Sequence, residues 1–171
     1  MKNKFILLAL LCWQCTMEEN KKPEEYNGPM RELNGMLMHY AENNKVKVKI
    51  TAAVVKEYLG GDREFPDGIH IEFYDDTGLK SSDLRANNAY YFKKENQWRG
   101  RGKVIIQNVG KGEELTTEEL FWKPDTKKIF TEKFVTIKQP NEVLYGTGLD
   151  AAEDLSEYNI HNISGEFDVK E

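Results

Sequence analysis

From residue 45 the apolar positions fall at every second place. "KVKVKI", residues 45–50, alternates strictly and puts Val46, Val48 and Ile50 on one face, the period of a half-buried β-strand. "GIHIEFYDDTG" repeats the pattern with Ile69, Ile71 and Phe73, then turns at Asp75-Asp76-Thr77-Gly78. "KVIIQN", "EKFVTIKQP" and "EYNIHNISGEF" continue in the same style. Pro66, Pro124 and Pro140 fall between the runs, where a residue without an amide hydrogen does not interrupt a ladder. "MRELNGMLMHY" fits a helix or a strand, with Gly35 in its middle, and "Ala41-Glu42-Asn43-Asn44" after it reads as a hairpin turn. The pattern predicts strands and almost no helix.

A longer period lies over this alternation. "ITAAVV" (50–55), "LRANNA" (84–89), "LTTEEL" (115–120) and "LYGTGL" (144–149) start 34, 31 and 29 residues apart. Each begins with an aliphatic residue, has a small residue at its third place (Ala52, Ala86, Thr117, Gly146) and an apolar one at its sixth. The last three are followed by a polar turn and then a strand led by Trp98, Ile129 or Tyr158. The unit is therefore strand, turn, strand, repeated about four times.

This spacing carries a geometric expectation. The first and third places share a face, whereas the sixth falls on the opposite face of a straight strand. Burying all three requires a bulge or bend between them, as where a long strand turns a corner between sheets. A small third residue then permits close approach, and glycine permits the closest. Gly146 thus reads as a corner position that borders a ligand groove, or as an ordinary core glycine of a β-sandwich.

Composition narrows the class. The chain has 171 residues, enough for one domain with a core. It carries 31% charged residues and a net charge of −5, with Lys and Arg scattered, which predicts no nucleic-acid partner. Eight Tyr, eight Phe and three Trp are too many for a disordered chain. "MKNKFILLALLCWQC" has a basic start and nine apolar residues, Phe5 to Trp13, far fewer than the ~20 that span a bilayer. Residues 1–15 therefore read as a signal peptide, a lipoprotein signal or a short anchor. Residues 16–28 read as a polar tether and 29–171 as the folded domain. Both cysteines, Cys12 and Cys15, lie in the signal, so no disulfide framework is expected beyond it. Cys15 is the candidate for acylation, although the Cys12-Trp13-Gln14 before it is not the small-residue sequence such processing favours.

Catalytic chemistry has no support. His39, His70 and His161 stand alone on alternating runs, and neither a GxSxG nor a paired metal-ligand motif occurs beyond the signal. No metal and no cofactor are expected. "Asp75-Asp76-Thr77-Gly78" lacks the ligand spacing of a calcium loop. In "WRGRGKV", Arg99, Arg101 and Lys103 are placed on one strand face and Trp98, Gly100 and Gly102 on the other. That cationic face is either solvated or a contact for an anionic lipid head group.

The ordered series "FPDGIHIEFYDDTG", "SSDLRANNAYYFKKENQWRGRGKVIIQN" and "EELTTEELFWKPDTKKIFTEKFVTIKQPNEVLYGTGLDAAEDLSEYNIHNISGEF" resembles the LptC family of lipopolysaccharide export proteins, in a Bacteroidetes-like form, from about Pro29 to Asp168. The resemblance implies a twisted antiparallel β-jellyroll, open along one side, with an apolar groove for acyl chains. It implies a periplasmic protein tethered to the inner membrane. Such a protein takes lipopolysaccharide from an inner-membrane ABC transporter and passes it to a related jellyroll protein by edge-strand stacking. The last strand, around Ser164 to Val169, is the expected free edge. The glycine of the family's "LYG" piece falls on Gly146, and its groove-side aromatic on Phe73 or Tyr74. With the alternation, the groove lining becomes Val48, Ile50, Ala52, Ile71, Phe73, Leu84, Ala86, Val104, Ile106, Leu115, Val135, Ile137, Leu144 and Gly146. The same residues suit a plain core. A closed sandwich acting as a protein-protein adaptor, without lipid, is the alternative.

Overall fold

The computed structural model describes residues 26–164, and eleven strands account for most of them. They are β1 (Arg31–Glu42), β2 (Lys45–Glu57), β3 (Arg63–Phe65), β4 (Ile69–Tyr74), β5 (Lys80–Ala86), β6 (Asn88–Phe92), β7 (Gln97–Asn108), β8 (Glu113–Lys123), β9 (Lys128–Lys138), β10 (Val143–Ala152) and β11 (Tyr158–Ser164). The stretch that fitted a helix or a strand is strand β1, and its hairpin to β2 turns at Asn43 and Asn44, both at positive φ. The only helical piece among the described residues is a 3₁₀ turn, Pro124–Thr126.

All ladders are antiparallel, in the order β11-β10-β9-β8-β7-β5-β4-β2-β3-β6, with β1 on β2 and β6 returning to β7. The long strands β2 and β7 each serve two neighbours along one edge, besides the strand on the other. Val48–Thr51 of β2 pair with β4, and Lys56–Glu57 with β3. Gln97–Arg101 of β7 pair with β6, and Ile105–Asn108 with β5. The six strands β2, β4, β5, β7, β6 and β3 thus close a ring, while β8 to β11 extend it on one side and β1 on the other. This is an all-β jellyroll-like sandwich whose two layers share their long strands.

The repeat explains how strands change layer. In β8, Leu115, Thr117 and Leu120 are all buried, and the register shifts by one residue between Thr117 and Phe121. In β10, Gly146 and Leu149 are buried, and the shift falls between Thr147 and Leu149. Leu84, Ala86 and Ala89 are buried across a break at Asn87 that separates β5 from β6. In β2, Ile50 and Val55 are buried with no shift between them in the ladder to β1, whose one shift falls at Tyr40/Ala41; Gly35 in the facing strand has φ 73°. Small third residues permit contact there: a Cβ on Gly100 would lie 3.2 Å from that of Ala86.

Between the layers, Val104, Ile106, Leu115, Val135 and Ile129 have no exposed surface. Among the described residues the sheet ends at β1 and β11, each with one neighbour only. The free edge expected around Ser164 to Val169 is occupied by β11, ending at Ser164, and residues 165–169 lie outside the described ones. Cys15, the signal over 1–15 and most of the tether over 16–28 also lie outside them.

Candidate functional site

The packed interior opens at one end into a cavity of about 570 Å³. Its floor is aromatic and aliphatic: Met38 from β1, Val48 and Ile50 from β2, Phe73 from β4, Tyr91 from β6, Trp98 from β7 and Trp122 from β8. The rings form one contiguous cluster. Trp98 and Trp122 have centroids 6.0 Å apart; Phe73 meets Trp122 edge-on at 5.3 Å; Phe65 and Tyr91 flank Trp98 at 5.3 and 4.8 Å. Each ring pair adds roughly 0.5–1.5 kcal/mol beyond area burial.

The rim follows from the repeat. Because each unit is strand, turn, strand, its turns return to the same end. The cavity is bordered by residues at the β1–β2, β4–β5, β6–β7, β8–β9 and β10–β11 turns. Asp75 Oδ1 accepts from the amides of Thr77 and Leu79 at 2.8 and 3.0 Å and from the Thr77 hydroxyl, which shapes the β4–β5 turn. Asn96 Nδ2 donates to Asp125 at 2.7 Å, tying the β6–β7 turn to the β8–β9 turn. Lys127 Nζ reaches Glu42 at 3.6 Å and links the β8–β9 turn to the end of β1.

One carboxylate belongs to the wall. Trp122 Nε1 donates to Glu153 Oε2 at 2.7 Å, and burial pushes the Glu153 carboxyl above its ordinary value, partly offset by that hydrogen bond. The β10–β11 turn that carries Glu153 is held by donors from the opposite layer. Asn108 Nδ2 donates to the Asp154 carbonyl at 2.6 Å, Ser82 Oγ to that of Glu153 at 3.3 Å, and Lys111 Nζ to that of Ser156 at 2.8 Å. These bonds hold Leu155 fully buried at φ 57°.

The residues expected to line a groove divide by depth. Val48, Ile50 and Phe73 reach the cavity. Ile71, Leu84, Val104, Ile106, Leu115, Val135 and Ile137 are packed between the layers with at most 4% exposure. Ala52 and Ala86 border a shallow depression near Gly68 and Arg85 instead. Leu144 packs half-buried against the core, and Gly146 faces β11. Alternation identifies inward positions, and core and cavity share that signal. Trp98, Trp122, Tyr91, Met38 and Glu153 were not identified by it, although two tryptophans leading and ending neighbouring strands were a usable sign.

The basic face is rearranged. Gly102 and Lys103 both have positive φ, and the β7–β8 register shifts by one residue between Arg101 and Val104, so Lys103 leaves the alternation. Arg99 lies over the Tyr90 and Phe92 rings at 4.9 and 5.3 Å, and Arg101 pairs with Glu119 at 3.2 Å. None of the three borders the cavity, which Trp98 faces from the other side of the strand. No cluster of metal-ligating side chains occurs among the described residues.

Residues 5–165 match the family described as "Lipopolysaccharide-assembly, LptC-related". No curated protein matches the chain.

Proposed function

We propose, for a chain that belongs to the LptC family and so serves periplasmic lipid transport in lipopolysaccharide assembly, that the aromatic-floored cavity holds the lipid's acyl chains. The observation that carries this reading is the 570 Å³ opening onto Phe73, Trp98 and Trp122. Binding is passive: each methylene taken from water contributes roughly 0.8 kcal/mol, so several shallow contacts suffice without chemistry. Release is correspondingly easy, because no single contact dominates.

The place of the cavity supports a hand-over along the sheet. Met38 and Tyr40 of the edge strand β1 are among its lining residues. The outer side of β1 and that of β11 present backbone donors and acceptors for strand addition. In this reading one edge meets the inner-membrane ABC transporter and the other a related jellyroll protein. The N-terminal segment, through Cys15 or its apolar stretch, keeps the domain near the inner membrane. No helix among the described residues is long and apolar enough to cross a membrane.

A photo-reactive residue at Phe73 tests the cavity. Cross-linking in cells is expected to give a lipopolysaccharide adduct, whereas the same residue at Leu59, 84% exposed on the β2–β3 turn, is expected to give none. Absence of an adduct at Phe73, with the protein still bound to its transporter, would favour the adaptor reading.

A further inference from the structure

Residues 153–157, which join β10 to β11, run across the end of the facing layer. The carbonyls of Glu153, Asp154, Leu155 and Ser156 accept in turn from side chains of that layer: Ser82 Oγ at 3.3 Å, Asn108 Nδ2 at 2.6 Å, and Lys111 Nζ at 3.5 and 2.8 Å. The layer is patterned for this. Ser82, Asn108 and Glu113 are register partners on β5, β7 and β8, and all three are buried. One row further in, the register partners Leu84, Ile106, Leu115, Ile137 and Leu144 are aliphatic. An aliphatic row cannot satisfy a backbone laid across it, whereas a hydroxyl and an amide can.

The attachments of this segment are unequal. On the side of β10 and β11 it continues into both strands, Glu153 N donates to the Lys127 carbonyl at 3.0 Å, and the Glu153 carboxylate takes the Trp122 indole. Its polar hold on the facing layer is the set of side-chain bonds, joined at its end by Gln139 to Tyr158. Leu155 completes that hold, fully buried in the core cluster that includes Ile106, Leu115 and Ile137. The closed position also carries strain: Leu155 sits at φ 57°, a region L side chains seldom take, and Glu113 Oε2 is buried without a donor among the described residues. Lifting the segment relaxes the first and lets water reach the second.

We propose that residues 153–157 are a strap that lifts off the Ser82–Asn108–Glu113 row while its ends stay in β10 and β11, and that lifting extends the cavity over the aliphatic row towards Leu144. Ala152, Glu153, Asp154 and Ser156 already border the cavity, so the strap is its wall on that side. The inference rests on the cavity being the lipid site, and deepens that reading by naming the part that moves to admit an acyl chain further. Ile106, Leu115 and Ile137 are core with the strap down and lining with it raised.

Two measurements on the full chain test this. Lys111 is exposed, so Lys111→Met weakens the strap without cutting into the core. In hydrogen exchange, the amides of Glu153, Leu155 and Ser156 are expected to exchange together, about fivefold faster in Lys111→Met, while those of β7 keep their rate. In cells, a photo-reactive residue at Leu144 is expected to give a lipopolysaccharide adduct whose yield rises in Lys111→Met and returns to the parent level in Lys111→Arg, which keeps a donor. The adduct at Phe73 is expected to be the same in all three. Equal Leu144 yields in the parent and Lys111→Met, or a Leu155 amide as protected as those of β7, overturns the strap and leaves the cavity reading intact. No adduct at Phe73 overturns the cavity reading, and the exchange rates still decide whether the strap lifts.

Discussion

At the scale of single residues, Gly146 and Glu153 show how little room the fold leaves. A Cβ on Gly146 would overlap the Ile160 side chain and lie 2.7 Å from the Asn162 carbonyl. Backbone cannot yield as a flexible side chain does, so Gly146→Ala is expected to destabilise by ~1–3 kcal/mol, read as a lower denaturant midpoint at unchanged slope. The corner has a second glycine: Gly148, at φ 83°, supplies the bend, while Gly146 supplies the close approach. Glu153 carries the pH dependence. Its folded carboxyl sits above the ordinary 4.5, so the folded state binds that proton more tightly than the unfolded chain. Stability from this group rises as pH falls through the raised value and is fully gained below 4.5. Glu72, lowered by Lys49, works in the opposite sense: its contribution is present above its ordinary value and lost as pH falls through the lowered one. Glu153→Gln isolates the first effect. Thermal melts are expected to show the variant more stable than the parent at pH 7.5, with the difference vanishing towards pH 4.5.

At the scale of elements, bulges are what the repeat encodes, and at the one between β8 and β9 the hydroxyls of two buried threonines bond backbone carbonyls. Thr131 Oγ1 donates to the Glu119 carbonyl at 2.6 Å, and Thr117 Oγ1 to that of Phe134 at 2.8 Å. Thr131 is 1% exposed, so water cannot replace its hydroxyl. Thr131→Val keeps shape and removes the donor; the orphaned carbonyl is expected to cost ~1–3 kcal/mol, whereas Thr136→Val, on the half-exposed outer face of β9, is expected to cost much less. Denaturant melts of the two variants separate a structural threonine from a merely β-prone one. The third place of "LTTEEL" is therefore small and also a donor, a requirement invisible until the bulge had been built.

At the scale of the molecule, closure and openness coexist. The ring of β2, β4, β5, β7, β6 and β3 closes the interior, whereas among the described residues β1 and β11 remain edges. Hydrogen exchange should follow that division. Amides of β7, paired on both sides and lying over the core, are expected to exchange slowest, and the amides on the outer sides of β1 and β11 fastest. Uniform protection across β1 in the isolated protein would argue against its being a free edge. A partner strand added to either edge is expected to slow that edge selectively.

The strands, hairpins and corners were legible along the chain, because alternation, turn chemistry and small third residues are local properties that neighbours in sequence impose on one another. So was the family, carried by an ordered series of pieces rather than by one motif. The site was legible only in part. Val48, Ile50 and Phe73 reach the cavity while Val104, Ile106 and Leu115, patterned the same way, fill the core. Side-chain parity tells which face a residue takes and says nothing of its depth between the layers. Depth is set by strands far apart in sequence. Only the tertiary fold brought Trp98 and Trp122 within 6.0 Å, laid the β10–β11 turn across the layers, and gathered scattered carboxylates around one mouth.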